Sequence, residues 1–195
     1  MARILYRVRQ FVHALTAPLA LEEPEGVAEV LTPAQRALFD RMPAADRRHA
    51  LGVYRFLREQ GAHSPDLLAA ALLHDVGKAA LAPPIWVRVA VVLLERFAPR
   101  LLERLPLVQV EPQGNLSPAR EERGNERLLL QRPVWPWEYL ALYRDHAELG
   151  ARWAEALGCS PQTVALIRRH HERLTSPQSE EDHLLILLQA ADEQA

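Results

Sequence analysis

The chain has 195 residues, enough for one domain with a sizeable core, and its 23 Lys+Arg against 25 Asp+Glu give a formal net charge of -2. That balance shows neither the basic excess of a general nucleic-acid binder nor the acidic block of a disordered tail. The single cysteine, Cys159, excludes an internal disulfide and any multi-cysteine zinc module, and it fits a reducing, cytoplasmic setting.

The first segment, "MARILYRVRQFVHAL", is not a secretory signal, because Arg3, Arg7 and Arg9 interrupt the apolar run such a signal requires. Ile4, Leu5, Val8, Phe11, Val12 and Leu15 share one helical stripe, which predicts an amphipathic helix docked on the core, with a membrane-surface helix as the alternative. In "LTPAQRALFDRM", Thr32 is placed as a cap, Pro33 at the first helical position and Gln35 to reach back as in a capping box. Residues 1–42 thus read as an N-terminal helical extension packed on the core.

The spacing then predicts a helix from about Pro43 to Gln60, stopped by Gly61, and another that Ser64 caps, Pro65 leads and the chain ends near Gly77. In the segment 79–135, "IWVRVAVVLLERF" is broken by Arg88 and Glu95 and falls short of the roughly 20 apolar residues needed to cross a bilayer. Its apolar face, formed by Ala90, Val91, Leu94, Phe97, Leu101 and Leu105, is split or kinked at Pro99. The stretch that follows mixes Pro, Gly, Asn and charge and reads as a long irregular loop, either a functional lid or a solvated connector. A later helix over about 136–157 closes at Gly158, "SPQTVALIRRHHERL" repeats the Ser-cap and Pro-start signature at Ser160 and Pro161, and a last helix covers about 180–193. The order predicts an all-α fold, a compact helical bundle over 43–195 carrying an extra helical and loop insertion at about 79–135.

Of the eight histidines, His13, His63 and His183 sit in contexts with no obvious acidic or histidine partner at ligand spacing and are set aside as ordinary surface or half-buried residues. His49, His74, His146, His170 and His171 each lie within a predicted helix, or at its end, beside small or apolar neighbours, and Asp75 and Asp192 are placed in the same way. One such histidine would be an ordinary core residue. Five with two carboxylates are hard to explain as packing, because a buried ionisable group costs several kcal/mol unless it is paired or metal-bound. Imidazole and carboxylate together suit divalent iron, manganese, zinc or cobalt, with no thiolate needed. Adjacent side chains on a helix point about 100° apart, so the pairs His74–Asp75 and His170–His171 are better explained by two metals than by one. Two ions about 3.5–4 Å apart, bridged by a carboxylate and a water, are a common device for attack on phosphorus.

The ordered set His49, "HDVGK", His146, "HH" and Asp192 resembles the HD superfamily of metal-dependent phosphohydrolases. "LLHDVGKA", "DHAELGARWAEALG", "LIRRHHE" and "LLQAAD" are similar to the subgroup named for its His-Asp-Ile-Gly signature, which includes the catalytic domain of ribonuclease Y and the cytoplasmic domain of cyclic-di-AMP phosphodiesterases. The resemblance runs from about His49 to Asp192 and implies an all-α five-helix core. It implies further that His49, His74, Asp75 and Asp192 hold one metal and that Asp75 bridges to a second held by His146, His170 and His171. Lys78 matches a lysine directed at a phosphate oxygen, where its charge stabilises the transition state; the alternative is a cation set against a helix C-terminus.

The pattern also departs from that of the family it resembles. "HHERLTSPQSEED" lacks the Gly-Tyr-Pro element of the cyclic-di-GMP phosphodiesterases, which weakens that assignment, and the segment 79–135 exceeds a simple connector. A match to ribonuclease Y or to the cyclic-di-AMP enzymes over their full architecture, with its nucleic-acid-binding module or membrane domain, is not expected. The function expected is a phosphodiesterase or phosphatase acting on a nucleotide or cyclic dinucleotide, with a hydroxide bridging two metals as nucleophile and Asp75 and Lys78 as catalytic residues. The expected partner is a phosphorylated small molecule, with RNA left open. Peripheral membrane contact would run through the N-terminal helix or the region from Val87 to Leu105, with Trp86 at the interface. The alternative is a non-catalytic HD-like nucleotide-binding or signalling module.

Overall fold

Every regular element among the described residues is helical. The computed structural model describes residues 24–80, 90, 93–94, 97–98, 100–101, 104–105 and 136–195. The helix expected over residues 4–15 and most of the expected insertion lie outside them. In chain order the elements are α1 (Val27–Val30), α2 (Pro33–Asp40), α3 (Ala44–Glu59), α4 (Pro65–Leu73), a 3-10 turn (Val76–Ala80), α5 (Pro136–Arg144), α6 (His146–Ala156), α7 (Pro161–Arg169) and α8 (Glu180–Gln194).

The arrangement is an all-α bundle built around α4. Every residue from Leu67 to Leu73 is buried, and a helix that is apolar all round belongs inside rather than on a surface. Helices α3, α7 and α8 pack on it, α8 also packs on α3, and α6 lies across α7 and the 3-10 turn. Tyr54 of α3, Trp153 of α6, Ile167 of α7 and Leu188 of α8 complete the core, joined by Val27, Leu38, Phe39 and Met42 from the segment ahead of α3. Each fully buried leucine contributes roughly 1.5–3 kcal/mol, a large share of the net stability of any domain. No helix among the described residues is long and apolar enough to cross a membrane.

Local signals explain most boundaries. Thr32 and Gln35 form the reciprocal capping box, the Thr32 hydroxyl accepting from the Gln35 N–H and Gln35 Oε1 from the Thr32 N–H. Gly61 and Gly158, at φ +78° and +73°, end α3 and α6 in left-handed turns. The following N–H groups of Ala62 and Cys159 then reach back to Leu57 and Ala154.

Two boundaries depart from the pattern, both beside the same contact. Helix α4 ends at Leu73 rather than near Gly77, and the chain tightens into the 3-10 turn. A Cβ on Gly77 would stand 2.0 Å from the His146 carbonyl oxygen, so only glycine lets this turn meet the start of α6. The single helix expected over 136–157 is two, broken at Asp145, whose φ of -96° and ψ of 8° leave the helical region. The Arg144 guanidinium donates to both Asp145 carboxylate oxygens at 2.6 Å, and α6 starts afresh at His146.

Candidate metal centre

Helices α4 and α7 deliver histidines by the same local design. Each has a serine cap, a proline at the first position, nine helical residues and a histidine at the C-cap, His74 in one and His170 in the other. Their N-termini are tied together: the Ser160 hydroxyl and the Thr163 hydroxyl both donate to the Asp66 carboxylate. With starts joined and lengths matched, the two C-termini arrive side by side, and the His74 and His170 rings meet edge to face at 5.3 Å between centroids.

Three histidines then share one orientation. The Nδ1 of His74 lies 2.9 Å from the Ala71 carbonyl, that of His146 2.5 Å from Tyr143 and that of His170 2.7 Å from Ile167, each three residues back. A carbonyl only accepts, so Nδ1 carries the proton and donates, and Nε2 of each neutral ring presents a lone pair to the interior. These lone pairs converge. His146 Nε2 is 3.3 Å from His170 Nε2 and 3.2 Å from His171 Nε2, contacts that repel unless a proton or a cation lies among them. His74 Nε2 is buried with no hydrogen-bond partner. Imidazole tautomers fixed by backbone carbonyls, with Nε2 atoms aimed at one space, are a donor arrangement suited to a metal.

The potential ligand atoms fall into two groups, His49 with His74 and Asp192, and His146 with His170 and His171. Within each group they all lie within 4.8 Å of one another. In the first, Asp192 Oδ1 is 2.7 Å from His49 Nε2 and 3.5 Å from His74 Nε2, the longer contact being Coulombic rather than a good hydrogen bond. Asp75 stands between the groups with its oxygens divided. Oδ1 is 3.2 Å from His146 Nε2 and 3.8 Å from His170 Nε2, while Oδ2 is 3.6 Å from His74 Nε2 and 2.5 Å from Lys78 Nζ. The His/Asp groups are thus within range to hold a metal ion. His63 and His183 lie exposed and apart, against Arg58 and the Ser179 carbonyl.

Burial makes the electrostatics severe, since His74, Asp75, His146 and His170 are each 4% exposed or less. Burial alone would disfavour protonated His74, but the Asp75 and Asp192 carboxylates outweigh it and push its pKa up to about 9. Burial likewise opposes ionised Asp75 and Asp192. The cations Lys78 and His74 hold Asp75 well below the carboxylate range, and the hydrogen bond from His49 with the charge of His74 does the same for Asp192. Lys78 is raised, burial being overcome by Asp75 and then by Tyr143 and Asp46. His170 is pushed well down by burial and by the neighbouring histidines, and His171 falls to about 4 for the same reasons. The His171 residue is open to solvent at the rim, yet its ring packs 3.9 Å from that of His170 and 5.0 Å from that of His146, which is where its desolvation arises.

All seven residues singled out as metal ligands therefore meet in one place, with Lys78 among them. Two contributors escaped the sequence reading. Asp46 is buried one turn before His49 on α3 and adds negative potential at Lys78. Gln189 lies one turn before Asp192 on α8 and holds the turn that carries His170 and His171. Their spacing to His49 and Asp192, three residues in each case, was the available signal. No family model, curated protein or solved structure matches the chain.

Proposed function

We propose that this chain is a phosphohydrolase of the HD type, a phosphodiesterase or phosphatase using two divalent metal ions on a nucleotide or cyclic dinucleotide. The observation that carries the proposal is the division of the Asp75 carboxylate, one oxygen facing each three-ligand group. His49, His74, Asp192 and Asp75 would hold one ion; His146, His170, His171 and Asp75 would hold the other. Mixed imidazole and carboxylate ligands accept iron, manganese, zinc or cobalt. Bound ions would supply Lewis acidity toward a phosphoryl oxygen and activate water near neutral pH.

The chain's own residues do the rest. His170 and His171 stay neutral through the physiological range and keep their lone pairs for a metal. His74 must release its proton to do likewise, so loading the first group is accompanied by proton release. Lys78 is 2.5 Å from Asp75 Oδ2, within reach of anything bound beside that carboxylate, where its charge would offset charge developing on phosphoryl oxygens.

The test is metal content and turnover of the full chain, reconstituted with manganese or iron and offered nucleotides, cyclic dinucleotides and short RNA. The expectation is close to two metals per chain, with hydrolysis lost in the His170→Ala/His171→Ala double variant and thermal unfolding of its metal-free form little changed. Full turnover in that variant sinks the mechanism. A second reading, a non-catalytic nucleotide-binding module, is favoured by the Lys78–Asp75 ion pair, which neutralises the central carboxylate with no metal at all. Binding of a nucleotide by chain that takes up no metal would support it.

A further inference from the structure

We propose that Gln189 is a positioning residue for the second histidine group, carried on the helix that also supplies Asp192 to the first, an inference that rests on the metal-binding reading of both. The paired histidines sit where α7 ends, and a helix end leaves its last carbonyls without intrahelical partners. Gln189 supplies the donors. Its Nε2 donates to the His170 carbonyl at 3.0 Å and to the Glu172 carbonyl at 2.7 Å, so one side-chain amide fastens the turn that aims both rings. Both acceptors are carbonyls, which fixes which end of the amide faces them.

The same face of α8 carries Asp192 one turn later, reaching His49 at 2.7 Å and His74 at 3.5 Å. One helix therefore supplies a ligand to the first group and the brace of the second. The start of α8 is pinned to the same turn from the other side, since Arg169 donates to Glu181 and Asp182 of α8 and to Glu172. Between Arg169 and Gln189 the turn bearing His170 and His171 has little freedom, and any slide of α8 that moves Asp192 also moves the brace. Loss of a hydrogen-bonding partner behind metal ligands typically weakens metal binding about 10- to 100-fold.

Three variants separate positioning from general packing. Gln189→Glu keeps the shape but turns oxygens toward the two carbonyls, Gln189→Ala removes the contact, and Gln189→Lys keeps a donor with enough reach. In chelator-treated full chain, the ring ¹H–¹⁵N spectrum should shift at His170 and His171, and not at His49, in Gln189→Glu and Gln189→Ala, with Gln189→Lys restoring it. Cobalt titration should then show at least tenfold weaker binding for Gln189→Ala in an Asp192→Ala background, which leaves the second group. In a His171→Ala background, which leaves the first, affinity should be unchanged. Unmoved His170 and His171 rings, or equal losses in both backgrounds, overturn the proposal. If the parent chain binds no cobalt the metal reading fails, while the ring spectra still decide whether Gln189 sets the histidine turn.

Discussion

The most informative single atom is His74 Nε2, buried, unpartnered and flanked by two carboxylates. Its consequence is a stability profile with opposing arms in metal-free chain. His74 has a folded pKa of about 9 against an ordinary 6.5, so its contribution is complete below about 6.5 and disappears as pH rises through 9. His171, at about 4, and His170 behave oppositely. Between 6.5 and 4 the unfolded chain binds protons that the folded chain refuses, and stability falls as pH falls. Asp75 and Asp192, both held low, add to the loss in stronger acid. The thermal midpoint of chelator-treated chain should therefore peak near pH 6.5, and a midpoint still climbing from 6.5 to 9 would contradict the His74 assignment. These side chains are legible in the sequence because five imidazoles on apolar helix faces are expensive without a common partner. Gln189 carries no such cost, since an amide on a helix reads as solvated surface until the carbonyls it serves are known.

For single helices, what was legible is what is chemically local. Caps at Thr32, Ser64 and Ser160 act within one turn, so their sequences announce them. The end of α4 and the break at Asp145 are not legible, because both lie beside the contact of Gly77 with the His146 carbonyl, which joins residues far apart in sequence. The matched design of α4 and α7 makes Ser160 more than a cap, since its hydroxyl accepts from the Thr163 N–H and donates to Asp66 at the start of α4. Ser160→Ala should destabilise the chain by about 1–2 kcal/mol, measured as a shift in urea midpoint at unchanged slope. It should also weaken metal binding, because the tie that brings the two C-cap histidines level is loosened. An unchanged metal affinity would show that core packing alone aligns the two helices.

Across the whole bundle, the two ligand groups draw on α3, α6, α8 and the C-terminal ends of α4 and α7, so the site exists only when these helices are assembled. A metal that binds the folded chain alone stabilises it by about 2.7 kcal/mol at 100 times its dissociation constant for each site. Saturating manganese or cobalt should accordingly raise the thermal midpoint by several degrees over chelator-treated chain, and Asp75→Ala should abolish most of that gain. A rise that survives Asp75→Ala would place the stabilising ion elsewhere. The contact between His49 and Asp192 also joins residues 143 positions apart. At the usual ribosomal pace of about 5–20 residues per second, the nascent chain waits roughly 7–30 seconds after His49 is made before its partner exists. A metal held as proposed would therefore take no part in forming the first helices. It would be captured only by a chain made as far as Asp192 and already closed on itself, so its supply would matter late in synthesis rather than early.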